Sequence, residues 1–182
     1  MKQIPLSSLS VSRMAYGCWR IAGTWTPAEV TTNSQAAGRK AVVAAYEAGF
    51  TLFDQADIYC HGETEKIFGR VLKEVSGMRE RVAIATKCGI RMAGEPKPEA
   101  PYRYDFSADH ITHSCDQSLK RLGIETIDLY QLHRPDYLMG PQEIAGAFEQ
   151  LKRAGKVREF GVSNFGPSQV TALQSACPMK LV

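Results

Sequence analysis

Thr51-Leu52-Phe53-Asp54-Gln55-Ala56-Asp57-Ile58-Tyr59 opens as a short β-rich run and closes on polar and aromatic residues; a helical pattern follows over 64–75. A strand with polar groups at its C-terminal end, then a helix, is the unit from which the fold is read. The alternation recurs along the chain, with β-rich runs at 14–18, 82–86, 127–132 and 159–163, and another beginning near Lys180. Between them lie helical stripes. The first covers 34–48, with Val42, Ala45 and Tyr46 on one face and Gly49 placed to take positive φ. Another has Ser107 as N-cap and Asp109 in its first turn, turns Ile111, Cys115, Leu119 and Leu122 inward, and stops at Gly123. A fourth starts at Pro141 with Ile144, Phe148 and Leu151 on one side, and a fifth follows Pro167 with Val170 and Leu173 inward. Residues 1–13 suit a small hairpin.

Strand then helix, repeated five times, requires parallel strands, because each crossover helix returns the chain to the same end of the sheet. The run onsets give a repeat of roughly 33 residues, so a closed eight-unit barrel would need roughly 265, near the usual size of about 250. The 182 residues hold about five and a half units. An open doubly wound sheet is the rival arrangement, but it normally places a glycine-rich phosphate turn after its first strand, and residues 16–23 contain no GxGxxG. Polar residues gathered at the C-terminal ends of several runs favour the barrel. The expected fold is therefore α/β, a (β/α)8 TIM barrel truncated to about five and a half βα units, with residues 1–182 forming one incomplete domain. Open sheet edges and an uncovered interior would favour association of such a chain.

The chain is 44% hydrophobic and 23% charged, which suits one sizeable core and excludes a disordered tail or a fibre. Its net charge of +3 is spread without long like-charged runs, so nothing marks a nucleic-acid arm or a membrane patch. The N-terminal residues lack an apolar signal segment, which makes a cytosolic location the expectation. Cys18, Cys60, Cys88, Cys115 and Cys177 form no CxxC pair and no zinc-finger spacing, and are expected as free, largely buried thiols.

Asp54 and Tyr59 follow the second run, Lys87 the third and His133 the fourth, so all four face the same mouth of a barrel. Each alone has a plainer explanation. Asp54 and Lys87 could be a structural ion pair, His133 a hydrogen-bonded strand-end residue and Tyr59 a packing aromatic. Together they make a proton-donor system. The Lys87 charge favours loss of the Tyr59 hydroxyl proton, Asp54 holds Lys87, and His133 orients a carbonyl. At the fifth run, Ser163-Asn164 could hydrogen-bond a carboxamide, although Ser-Asn-Phe-Gly-Pro also suits a turn leading into a helix. Residues 88–106, with Pro96, Pro98, Pro101, Tyr102, Tyr104 and Phe106, are too long for an ordinary βα connection and suggest a substrate-side loop.

Four segments carry a family resemblance. Residues 53–59 resemble the aldo-keto reductase signature around its catalytic Asp and Tyr. Thr86-Lys87-Cys88-Gly89 is similar to the segment with the catalytic Lys, and residues 128–135 to that with the catalytic His. Residues 155–165 are similar to the stretch whose Ser-Asn holds the nicotinamide carboxamide. The resemblance implies that Asp54, Tyr59, Lys87 and His133 are catalytic and that Tyr59 protonates a carbonyl oxygen. It implies reduction of aldehydes or ketones by a nicotinamide, NADP(H) more than NAD, with a small-molecule carbonyl substrate. Carried over residue by residue, Gly17, Trp19, Arg20, Asp54, Ser163 and Asn164 lie at the cofactor. The family's adenosine-phosphate contacts fall beyond Val182, so the expectation is a reductase impaired by truncation. A non-catalytic or regulatory protein on the same scaffold is the first alternative. A metal-dependent hydrolase using Asp54, Asp57, His61 and His133 is the least favoured, because Lys87 would be an odd neighbour for a cation. Oligomeric state is not fixed by the sequence.

Overall fold

A computed structural model describes residues Met1–Val182. The chain opens with a hairpin of β1 (Gln3–Leu6) against β2 (Leu9–Ser12), antiparallel with Leu6 opposite Leu9. There follow β3 (Ala15–Gly17), α1 (Thr32–Glu47), β4 (Leu52–Asp54), α2 (Glu63–Glu74) and β5 (Ala83–Cys88). A two-residue ribbon, β6 (Ile90–Arg91) with β7 (Arg103–Tyr104), interrupts the connection to α3 (Ala108–Leu122). The chain continues through β8 (Ile127–Leu132), α4 (Pro141–Arg153), β9 (Val157–Val162) and α5 (Pro167–Ala176).

Five of these strands form one parallel sheet in the order β3-β4-β5-β8-β9, each next to its sequence neighbour among the crossover strands. Leu181 adds a parallel bridge to Phe160, and Val182 donates its N–H to the Phe160 carbonyl at 2.9 Å. Sheet pairing thus resumes beyond β9 at the place the periodicity indicates. This is the α/β arrangement expected for the first part of a TIM barrel.

Alternation along the strands sorts the two faces. Phe53 pairs with Ile84, and Tyr130 with Phe160, and all four are buried in the layer between sheet and helices. Phe53 and Ile84 pack with Val42 of α1 and Ile67, Phe68 and Val71 of α2; Tyr130 and Phe160 pack with Ile111, Phe148 and Leu173. The opposite face carries Gly17, Asp54, Ala85 and Leu129 in one register row, with Lys87, Gln131 and Gly161 in a row nearer the C-terminal end. On that face Glu159 accepts from Ser7 Oγ at 3.0 Å and also from Ser8, tying the hairpin turn to the N-terminal end of the sheet.

Element ends follow their capping chemistry. Ser107 accepts the His110 N–H, and Gly123, at φ 67°, ends α3 in the left-handed conformation. Two boundaries differ from the sequence expectation. The helix expected from Ser34 begins at Thr32, because Thr31 and Ser34 cap each other reciprocally and place Ser34 inside the first turn. The third crossover strand extends to Cys88, so Lys87 lies within a strand rather than after one. All five cysteines are free and buried. No helix is long and apolar enough to cross a membrane.

Candidate active site

The four residues singled out from the sequence converge at the C-terminal end of the sheet. Asp54 ends β4, Lys87 sits one residue from the end of β5, and His133 follows β8. Tyr59 lies in a short turn of 3-10 helix between β4 and α2. Lys87 organises the group through three contacts: Nζ donates to Asp54 Oδ1 at 2.7 Å, to the Gln55 carbonyl at 2.7 Å and to Tyr59 Oη at 3.4 Å. An ammonium has three N–H bonds, so each has a partner. Lys87 is only 5% exposed, and the Asp54 carboxylate balances its charge where water cannot.

The His133 ring meets the Tyr59 ring edge-on, with centroids 5.8 Å apart. Burial lowers the His133 pKa to about 4, with help from the Lys87 and Arg134 charges, so the imidazole is neutral at pH 7. Its Nδ1 is shut off from solvent without a hydrogen-bond partner. A neutral imidazole carries one N–H; placing it on Nε2 leaves a donor for a ligand in the mouth.

Ser163 and Asn164 stand at the end of β9. Asn164 takes a left-handed backbone at φ 65°, and its Nδ2 donates to the His133 carbonyl at 2.9 Å and to Ser163 Oγ at 3.0 Å. Those bonds fix the amide and leave Asn164 Oδ1 and the Ser163 hydroxyl proton without a protein partner, an acceptor beside a donor. Gly17 pairs with Asp54 across β3 and β4. Trp19 packs on Trp25 with centroids 5.6 Å apart, and the Arg20 guanidinium lies 5.1 Å above the Trp19 ring. The contact of Arg20 is thus with the tryptophan, and none joins it to the Asp54–Tyr59–Lys87–His133 group.

Trp25 presents a face that sequence reasoning missed. Its ring meets the Tyr59 ring edge-on with centroids 6.2 Å apart, and the residue is 45% exposed, so it borders the cluster beside Tyr59. An aromatic between two threonines in a loop gave no spacing to find it by. The long connection after β5 reaches the same mouth at its end, where Phe106 stacks on Phe165 with centroids 6.4 Å apart. Its β6–β7 portion instead walls a second cleft of about 290 Å³ with Asp57, His61, His110 and Arg121. There, burial, reinforced by the Glu65 charge, pushes the Asp57 pKa up to about 8, and burial with the Arg91 charge lowers that of His110 to about 4. No group of three or more His, Cys, Asp or Glu side chains is placed to hold a metal ion, so the residues named for a hydrolase do not come together as ligands.

A parallel βα sheet with a Lys-Asp-Tyr-His cluster at its C-terminal end is the arrangement of the first part of a (β/α)8 barrel. Residues 13–182 match the profile of the Aldo/keto reductase family, and the chain belongs to that family. It is 40% identical to the oxidoreductase YcsN of Bacillus subtilis, over 100% of this chain and 59% of that protein. It is 39% identical to a 6-dehydroglucose reductase of Novosphingobium aromaticivorans, over 99% of this chain and 56% of that protein. Its structure superposes on a glycerol dehydrogenase from Gluconobacter oxydans with a TM-score of 0.84 at 32% identity, covering 97% of this chain and 53% of the other. The chain therefore spans little more than half the length of these relatives.

Proposed function

We propose that this chain carries the proton-transfer half of an NADP(H)-dependent carbonyl reductase site that turns small aldehydes or ketones into alcohols. The observation that carries the reading is Lys87 Nζ, buried between Asp54 Oδ1 at 2.7 Å and Tyr59 Oη at 3.4 Å. In this reading Tyr59 gives its hydroxyl proton to the substrate oxygen. The Lys87 ammonium stabilises the phenolate left behind, and Asp54 with the Gln55 carbonyl keeps Lys87 from turning away. Neutral His133 donates a second hydrogen bond to the same oxygen, which polarises the carbonyl and orients it toward Tyr59.

A reduced nicotinamide, when bound, supplies the hydride. The free acceptor on Asn164 and free donor on Ser163 suit its carboxamide, and family correspondence adds Gly17, Trp19, Arg20 and Asp54 to the residues that hold it. NADPH is the expected form, with NADH as the alternative. Two relatives are named for polyhydroxylated substrates, 6-dehydroglucose and glycerol. Trp25 beside Tyr59, with Trp19 packed on it, offers aromatic surface that suits the C–H faces of such a small polyol, so a hydroxylated carbonyl compound is the favoured substrate class.

Replacing Lys87 by Met tests this division of labour. NADPH oxidation with glyceraldehyde should fall by about two orders of magnitude or more, the scale of a lost acid–base group. NADPH binding, followed by quenching of Trp19 and Trp25 fluorescence, should persist. A Lys87→Met protein with undiminished turnover would remove the basis of the proposal.

A further inference from the structure

The hydrogen bond from Lys87 to Tyr59 spans two separate elements, a strand and a turn, so something must fix one against the other. The turn is under conformational strain. Cys60 at φ 47° and His61 at φ 49° are both left-handed although neither is glycine, and Gly62 follows at φ 84°. Local bonds, His61 N–H to the Ile58 carbonyl among them at 3.1 Å, close the turn, and tertiary contacts support the two left-handed non-glycine residues after Tyr59.

The Asp57 N–H, which donates to the Lys87 carbonyl at 3.1 Å, ties the start of the turn to β5, and one buried carboxylate adds a second tie. Glu65, in the first turn of α2, has no exposed surface. Its Oε1 accepts from Thr86 Oγ1 at 2.6 Å, and Thr86 is the residue before Lys87 on β5. Its Oε2 accepts from Arg121 Nε at 2.6 Å, and Arg121 is further tied by Nη2 to Ser118 Oγ at 3.1 Å on α3. The Arg121 side chain lies flush against the turn: a Cβ on Gly62 would come within 2.5 Å of Arg121 Cδ and Nε. A parallel hold comes from Thr64, whose hydroxyl donates to the Tyr59 carbonyl at 3.3 Å. Glu65 is thus bonded on one side to the strand that presents Lys87 and on the other to the side chain that braces the turn presenting Tyr59.

We infer that Thr86, Glu65 and Arg121 form a positioning chain that sets the Lys87–Tyr59 separation and thereby the readiness of Tyr59 to give up its proton. The inference rests on the reductase reading above. None of the three touches the reacting atoms; they act through Lys87 and Tyr59. Thr86→Val keeps the shape of the side chain, leaves the Arg121–Glu65 ion pair in place and removes only the hydroxyl that joins it to β5.

The test is steady-state reduction of glyceraldehyde by NADPH, with Thr86→Val, Thr86→Ser and Arg121→Lys compared across pH. Thr86→Val should lower kcat about tenfold and move the alkaline limb of the kcat profile to higher pH. NADPH affinity should stay within about twofold of wild type. Thr86→Ser, which restores the hydroxyl, should recover both rate and profile. Arg121→Lys keeps Glu65 paired but loses the flat brace under Gly62, and should shift rate and profile in the same direction as Thr86→Val. A folded Thr86→Val enzyme with unchanged kcat and pH profile would overturn the inference, as would Thr86→Ser being as impaired as Thr86→Val. If Thr86→Val does not fold, Arg121→Lys decides, and a wild-type kcat and profile there overturns it. Failure of the parent reading looks different: a fully active Tyr59→Phe protein would show that Tyr59 is not the acid, and would overturn the inference together with that reading.

Discussion

Asp57 and His133 illustrate how burial, reinforced by neighbouring charges, shifts protonation in this molecule in opposite directions. Asp57 is raised from 3.8 to about 8, so the folded state holds a proton there that the unfolded chain releases, and this contribution to stability is lost as pH rises through 8. His133 and His110 are each lowered from 6.5 to about 4, so the unfolded chain binds two protons over that range that the folded state refuses. Between pH 4 and 6.5 the two histidines outweigh the one carboxyl and stability rises with pH; between 6.5 and 8 Asp57 acts alone and stability falls. Thermal denaturation should therefore show a maximum near pH 6.5, with a loss of roughly 1–2 kcal/mol on the alkaline side that Asp57→Asn abolishes. An alkaline loss that persists in Asp57→Asn would refute the assignment. The same contrast governs what sequence reasoning could see. Asp54, Tyr59, Lys87 and His133 were legible because each stands at or just past a strand end. Glu65 and Arg121 were not, because a glutamate in a first helical turn and an arginine in a last one match ordinary helix-dipole chemistry.

The helices were legible as stripes and their packing was not. The inward residues Ile111, Cys115 and Leu122 of α3 and Ile144, Phe148 and Leu151 of α4 are buried as the period indicated. The closeness of α2 to α3 depends instead on Gly69, where a Cβ would stand 2.5 Å from the Leu122 carbonyl oxygen and 2.8 Å from that of Arg121. A glycine inside a helical pattern carries no partner in its spacing, so only the assembled pair of helices reveals its purpose. Gly69→Ala should push the helices apart at the C-terminal end of α3 and cost about 1–3 kcal/mol despite alanine's better helix propensity. The urea midpoint reads this directly, and a variant as stable as wild type would show that α3 can yield there. The long connection after β5 was legible only as an excess of length. Its ribbon pairing, Ile90 opposite Tyr104, depends on contacts across a dozen intervening residues that no local pattern records.

At the scale of the molecule, parallel strands in sequence order put every strand's C-terminal end on one side, and that is why the place of the polar cluster could be anticipated from a linear repeat. The repeat count also anticipated pairing beyond β9, which resumes at Leu181. The chain spans 59% and 56% of two relatives, and it contains the Asp54–Tyr59–Lys87–His133 cluster and the Ser163–Asn164 pair. The central claim is that Tyr59, activated by Lys87, is the acid in carbonyl reduction. The most direct test is NADPH oxidation with glyceraldehyde by Tyr59→Phe, with cofactor binding measured alongside by tryptophan fluorescence. The account predicts that binding is retained while turnover falls by at least about two orders of magnitude; wild-type turnover in Tyr59→Phe would contradict it.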